Sequence, residues 1–335
     1  MPAGVFKESY LEDMAILRYP LHKASLVAGL VLVALLPLLL GSYGIDQAVA
    51  LMIFFLGALG LNIVTGLAGQ ISLAQGALMG VGAYTAAHLA LHGVNVLAAI
   101  PLAGVVAAAT GFVLGLPSFR LKGYYLAMAS IAAQAILEYV FKTWVDPNQG
   151  IAIPRGEKMV AGIYFGKGLP LYYTVLAVSV LAVLAATNIG RSGLGRAMKA
   201  VRDNDVSASV VGINVARVKA LAFALGSFYA GVAGALYVLA NPSIEWGAFT
   251  LDTSIEYLAM VLVGGPGRII WGSLLGALTI HTGWSLLASA LAANAAAKYI
   301  VLGGLIAFFV VLEPDGLIGV LRRVKEYFRL WPFRY

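Results

Sequence analysis

Apolar segments follow one another along almost the whole of this chain, at roughly 24–41, 47–65, 76–93, 95–116, 124–143, 169–189, 220–240, 252–264, 270–290 and 299–313. A helix crosses a bilayer with about 20 apolar residues. Backbone polar groups cannot stay unpaired in hydrocarbon, so repeated segments of that length leave a membrane-embedded helical bundle as the solution. Composition agrees. Of 335 residues, 61% are hydrophobic and 11% charged, against about 25% charged in soluble domains. The expected fold is all-α, a polytopic transmembrane helical bundle of about 8–10 spans, some broken or re-entrant. Segment 252–264 is too short to span and reads as re-entrant.

Charge orients the bundle. With the N-terminus placed in the cytoplasm and the segments alternating, the cytoplasmic side holds 17 of the 22 Lys and Arg. The outer side keeps Lys142, Arg155, Lys158, Lys167 and Lys298. That asymmetry follows the positive-inside rule and places both termini in the cytoplasm. The chain then divides into an N-terminal arm (1–23), a membrane domain (24–320) with a cytoplasmic loop at about 190–219, and a basic, aromatic tail (321–335). The net charge of +7 reflects orientation and attraction to anionic lipid. Nucleic-acid binding is a poor alternative, because there is no soluble basic domain to carry it.

Residues 60–84 break the apolar pattern. They read Gly-Leu-Asn-Ile-Val-Thr-Gly-Leu-Ala-Gly-Gln-Ile-Ser-Leu-Ala-Gln-Gly-Ala-Leu-Met-Gly-Val-Gly-Ala-Tyr, rich in glycine and carrying Asn62, Gln70, Ser72 and Gln75. A lipid-facing helix avoids unsatisfied polar groups, which cost several kcal/mol each. Broken helix is tolerated where it is buried in protein or lines a watery path. These four side chains are therefore candidates for a transport pathway. The 264–272 region is a second glycine break, and each break precedes a helix opening Gly-x-x-x-Gly. Small residues four apart, as in Gly111/Gly115 and Gly226/Ala230/Gly234, allow close helix packing.

Ionisable groups inside the apolar segments are few: Glu138, Glu256 and His281. Intramembrane charge is expensive, so each is a functional candidate. Glu138 lies near a helix end, and Glu256 follows Asp252 by one turn. His88 and His92 have no Cys or carboxylate beside them to complete a metal site. Without cysteine there is no thiolate or disulfide chemistry. No nucleophile elbow or phosphate-binding loop is present, so no catalytic residue is expected and any energy input must come from elsewhere.

The cytoplasmic loop at 188–219 is long for a bundle connection. Leu194, Met198, Val201 and Val206 form an approximate helical stripe, with Arg196, Lys199 and Arg202 on another side. Asp203, Asn204 or Asp205 caps a second short helix, Gly212 ends it, and Asn214 caps the next. From spacing alone this is either an amphipathic hairpin on the lipid surface or a docking element for a cytoplasmic protein. The tail interleaves basic and aromatic residues, which suits a membrane interface.

Four blocks carry a family resemblance. They are residues 60–84; Arg120-Leu-Lys-Gly-Tyr-Tyr-Leu-Ala127; Gly195-Arg-Ala-Met-Lys-Ala-Val-Arg-Asp-Asn-Asp205 continuing through Gly212-Ile-Asn-Val-Ala-Arg-Val-Lys219; and Ser254-Ile-Glu-Tyr-Leu-Ala-Met-Val-Leu-Val-Gly-Gly-Pro-Gly267. Together they resemble the LivM-type permease subunits of branched-chain amino acid ABC importers. The resemblance implies a LivH-type partner permease, two cytoplasmic ATPase subunits that carry ATP and Mg, and an extracytoplasmic solute-binding protein. It implies a prokaryotic inner-membrane location and no cofactor in this chain. It also implies that the loop docks in a groove of an ATPase, with Arg202, Asp203, Asp205, Ser207, Ala208, Gly212 and Asn214 as coupling residues. The wider importer signature has Glu-Ala-Ala where this chain has Val206, Ser207 and Ala208, so Asp203 and Asp205 supply the nearby charge. The segment Val145-Asp-Pro-Asn-Gln-Gly-Ile-Ala-Ile-Pro154 departs from the Thr-Gly-Gly common near the outer loop of such permeases. The implied solute is a branched-chain amino acid or a related small polar molecule such as urea, an amide or an aromatic acid. The alternative from another class is a stand-alone secondary carrier or channel. A membrane-embedded enzyme lacks any catalytic constellation.

Overall fold

The computed structural model describes residues 20–119, 121, 123–147, 150–160, 163–283 and 295–330. Most of the N-terminal arm, Arg120, Lys122, the second half of segment 270–290 and the last five residues of the tail therefore lie outside the described residues. The chain divides into two units, Met1–Ile45 and Asp46–Tyr335. The first contains α1, Pro20–Leu39. The second takes in most of α2 (Ser42–Leu61) and then α3 (Gln75–Leu91), α4 (Val96–Gly115), α5 (Tyr124–Val140), α6 (Gly168–Arg191), α7 (Gly193–Asp203), α8 (Asp205–Val210), α9 (Val215–Ala240), α10 (Leu251–Gly264), α11 (Ile269–Ala277), α12 (Ala295–Leu312) and α13 (Gly316–Leu330).

Five of these runs are long and apolar enough to cross a membrane: Ser42–Leu67, Val96–Ser118, Tyr124–Val145, Gly168–Arg191 and Val215–Ala240. Two bent pairs raise the number to seven if each is one span. Trp246–Gly264 meets Ile269–Thr282 at 119°, and Tyr299–Leu312 meets Gly316–Phe328 at 50°. The sequence pattern predicts more spans for identifiable reasons. Segment 252–264 and the described start of the next, Ile269–Thr282, are two arms of one bent pair, and α3 has only 17 residues. The described part of the tail belongs to α13, which is set off from α12 by a break and a 50° bend.

The core forms around α9, which packs along α3 and α4. Here the small-residue spacing has its physical effect. A Cβ at Gly82 would overlap the Gly231 backbone, one at Gly234 the Met79 carbonyl, and one at Gly111 the Ser227 hydroxyl. Backbones approach this closely only where side chains are absent.

At one end of the bundle a small antiparallel pairing ties two loops together. Strand β1 (Ile151–Ala152) pairs with β4 (Ser243–Ile244) in the register Ile151↔Ile244. Strands β2 (Met159–Val160) and β3 (Ile163–Tyr164) form a second pair. Between them and the core lies Lys158, only 2% exposed. Its ammonium donates to the Val238 carbonyl at 2.8 Å, to Leu239 O at 3.3 Å and to Asn241 O. These are carbonyls from the last turn of α9, which has no further residues to bond them. Burial pulls the Lys158 ammonium down to about 8, so it is still cationic at neutral pH. A cation at the negative end of a helix is well placed. Asp146 anchors the same loop, accepting from Tyr84 at 3.1 Å and from the Gly150 amide at 2.6 Å.

Lys158→Met keeps the apolar stem and removes the cap. Because it leaves buried carbonyls without donors, it should destabilise the fold by about 1–3 kcal/mol. We expect a thermal transition lowered by a few degrees and faster proteolysis around residues 150–160. An unchanged transition would show that the clamp contributes nothing.

Candidate functional site

The helical run that begins with α2 does not end cleanly. It passes into a π-helical turn, Asn62–Leu67, in which every residue is buried. Wider turns of this kind leave the regular bonding ladder and often mark functional sites. Asn62 fills the gap with its amide. Its Oδ1 accepts from the Gly267 amide at 2.9 Å, and its Nδ2 donates to Arg268 O at 3.3 Å and to Ser273 Oγ at 3.1 Å. The two glycine breaks noted in the sequence thus meet face to face. A Cβ at Gly66 would overlap both Asn62 Oδ1 and the Gly267 nitrogen. Gly267 sits at φ +83°, a conformation that L side chains rarely adopt.

Beyond the π-turn the chain runs without regular structure to α3. Its polar groups are satisfied by side chains. Thr65 Oγ1 donates to Gln70 O at 3.1 Å, and Gln70 Nε2 donates to Ala68 O at 3.0 Å. The Leu73 amide donates to Ser130 Oγ at 2.9 Å, and Ser72 Oγ accepts from the Ala74 amide. Gln75 Nε2 donates to Gly57 O at 2.8 Å. The first turn of α3, buried in protein, is capped from two other helices. Gly76 N donates to Ser254 Oγ at 2.8 Å and Ala77 N to Gln134 Oε1 at 2.9 Å. Gln134 also accepts from Ser254 Oγ and donates to Phe249 O at 2.8 Å. Gly57 is ten residues before Leu67, about 15 Å along a helix, so α3 starts well inside the bundle rather than at its surface.

All four candidate pathway residues, Asn62, Gln70, Ser72 and Gln75, are buried and bonded within the chain. Glu256 lies in the second turn of α10, in a small crevice with Asp252, Ile255, Tyr299 and Leu302. Tyr299 donates to Asp252 at 3.0 Å. This group lies at the opposite end of α10 from the Gly265–Gly267 break. His281 stacks on Phe54 with ring centroids 4.4 Å apart, and His92 Nδ1 lies 2.7 Å from His88 O in the last turn of α3. Glu138 is half-buried on α5.

The long loop is a helical corner. Ser192 caps α7, accepting from Gly195 N at 3.3 Å. Met198 and Val201 are buried as the stripe predicts. Val206 departs from the stripe and is 66% exposed. The reason is a helix end. The chain turns at Asn204, whose Oδ1 caps α8 by accepting from Val206 N and Ser207 N at 2.9 and 3.1 Å. That turn resets the phase. Ala208 alone among the α8 residues is buried. Gly212 leaves the helix at φ +89°, and Asn214 caps α9 through Arg217 N at 3.0 Å. Asp205 accepts from the buried Lys219 ammonium at 2.7 Å, which fastens α8 to the first turns of α9. Asp203 and Ser207 face solvent.

Arg202 joins the two regions. From the last turn of α7 its Nη1 donates to the Gly66 carbonyl. A Cβ at Gly69 would press on its aliphatic stem and one at Gly267 on its guanidinium. The corner at 193–210 is therefore wired directly to the meeting point of the breaks.

Sequence reasoning passed over Gln134, Ser130 and Ser273, which supply the bonds that hold the breaks, and treated Lys158 only as an outer charge. A signal was present. On α5 the buried residues are Leu126, Ser130 and Gln134, four apart, so two of the three on the inward face are polar. Gln134→Leu leaves Ala77 N–H and Phe249 C=O buried without partners, at about 1–3 kcal/mol each. We expect a clear fall in thermal stability and faster amide exchange at the start of α3. Wild-type values for both would contradict the capping role.

A family model described as "Branched-chain amino acid transport system / permease component" matches residues 45–310. The high-affinity branched-chain amino acid transport system permease protein LivM of Escherichia coli (strain K12) is 30% identical over 327 residues, covering 90% of this chain and 76% of that protein. LivM of Salmonella typhimurium is 29% identical over the same shares. LivH of Escherichia coli (strain K12) is 28% identical over 284 residues, covering 78% of this chain and 90% of that protein. No solved structure gives a significant match. With its apolar spans, paired breaks and helical corner, the chain is a multi-pass membrane protein and belongs to the permease-component family of branched-chain amino acid transport systems.

Proposed function

We propose that this chain is one permease subunit of an ATP-driven importer and that the α7–α8 corner is where a cytoplasmic ATPase docks. One observation carries the reading. Val206, Val210 and Val211 are 66%, 82% and 81% exposed at the tip of an otherwise polar loop. The tip is held rigid by two Asn caps, the Lys219–Asp205 pair and the turn at Gly212. An exposed apolar cluster on a rigid mount marks an interface. A stand-alone carrier would leave that cluster in water, which favours the importer.

ATP and Mg then belong to two partner ATPases, and high-affinity recognition belongs to an extracytoplasmic binding protein. The LivH relatives support a homologous permease as the other half of the pathway. Lys and Arg cluster around the corner, which supports a cytoplasmic position for it and for both termini in a prokaryotic inner membrane. The solute is a branched-chain amino acid or a similar small polar molecule. Asn62, Gln70, Ser72 and Gln75 shape its path by holding the breaks, and Glu256 offers it a polar contact.

The test is a double substitution at the tip, Val210→Glu with Val211→Glu. Both side chains point away from the core, so membrane level and thermal stability should hold. Co-purification of the ATPase and solute uptake should fall by about tenfold or more, as at a buried apolar hot spot. Normal uptake with the ATPase bound would overturn the docking assignment.

A further inference from the structure

A cavity of about 500 Å3 opens where α6 ends, α11 begins and α13 passes by. Its wall combines two chemistries. Arg191, Lys199, Arg268, Arg322 and Lys325 contribute five cationic side chains. Ile269, Ile270, Trp271, Leu275, Ile318 and Leu321 supply an apolar floor. No acidic side chain is among the described lining residues. Two carboxylates approach Arg322, Asp315 at 3.8 Å and Glu326 at 3.7 Å, and both contacts are long and solvent-exposed. Exposed ion pairs of this kind hold their partners weakly.

The surroundings indicate the depth of the cavity. Trp271 is 66% exposed, and tryptophan favours the headgroup layer. On α13 the apolar Leu321, Val324 and Phe328 are exposed at 55%, 47% and 71%, interleaved with Arg322, Arg323 and Lys325. That is the pattern of a helix lying in the membrane interface. An acidic protein surface would neutralise the cations but would have no use for an apolar floor reached from the bilayer. An amphiphile with an anionic head meets both demands.

We propose that this cavity binds an anionic glycerophospholipid, with its phosphate among Arg191, Lys199, Arg268, Arg322 and Lys325 and its acyl chains along the start of α11. Basic pockets between helix ends on the cytoplasmic side are suited to such headgroups. The site borders the junction of the breaks, since Leu67 and Gly267 also line it. The proposal does not depend on which solute crosses.

The experiment uses the full chain purified into nanodiscs of phosphatidylcholine, with or without phosphatidylglycerol or cardiolipin. Wild-type protein should retain an anionic lipid in native mass spectrometry and melt at a higher temperature when that lipid is added. Arg268→Gln with Lys325→Gln should lower retention by roughly tenfold and abolish the thermal shift, while the melting temperature in pure phosphatidylcholine stays at the wild-type value. If the pair of substitutions lowers that baseline, Lys325→Gln alone, on the exposed face of α13, repeats the measurement. Equal retention of phosphatidylcholine and phosphatidylglycerol would overturn the proposal. So would undiminished retention in the variants, including the case where they lose a protein partner instead.

Discussion

A helix broken inside a membrane bundle leaves amides and carbonyls where no water can reach them. Each such group costs several kcal/mol if left alone. Among the described residues two such breaks, at 62–74 and 264–268, meet each other, and much of the surrounding sequence answers that cost. Asn62 bonds one break to the other. Ser130 and Gln134 reach in from α5, and Ser254 from α10. The glycines at 66, 264, 272 and 276 let the backbones close until no side chain fits between them. The result is a buried junction that depends on a handful of amides and hydroxyls.

Such a junction is tightly specified but not interlocked. Glycine surfaces have no side chains to slide past, so a change of arrangement there would require the exchange of only a few hydrogen bonds. Arg202 is placed to bias that choice. Arg202 is itself exposed, so solvent screens its charge, but its bond reaches a carbonyl of the buried π-turn. On the proposed reading, a push on the α7–α8 corner would reach the breaks through the Arg202 guanidinium. About 15 Å further along, at Gly57 and Ser254, α3 begins inside the bundle, so movement of the junction bears on a helix end deep in the protein.

Much of this was legible beforehand. Apolar length gave the bundle, glycine with amide gave the first break, and a cap among Asp203, Asn204 and Asp205, with Gly212 and Asn214, gave the helical corner, in which Asn204 is the cap. What stayed hidden depended on the third dimension. Nothing in one dimension says that Asn62 meets Gly267, or that a helix phase resets at Asn204 and turns Val206 outward. Lys158 reads as a loop charge because its acceptors are main-chain carbonyls some 80 residues away. Gln134 was overlooked for the opposite reason: its segment is so apolar that one amide counts for little in a hydropathy sum, although a polar pair four apart on one helix face was there to read.

We propose that Arg202 transmits between the corner and the breaks. The most direct test measures solute uptake and ATP hydrolysis together in reconstituted complex carrying Arg202→Met, with thermal stability recorded on the same preparation. Loss of one charge-assisted bond predicts uptake per ATP lowered by about tenfold, with the proposed ATPase partner still bound and still hydrolysing. Wild-type uptake per ATP in a stable, assembled complex would contradict it.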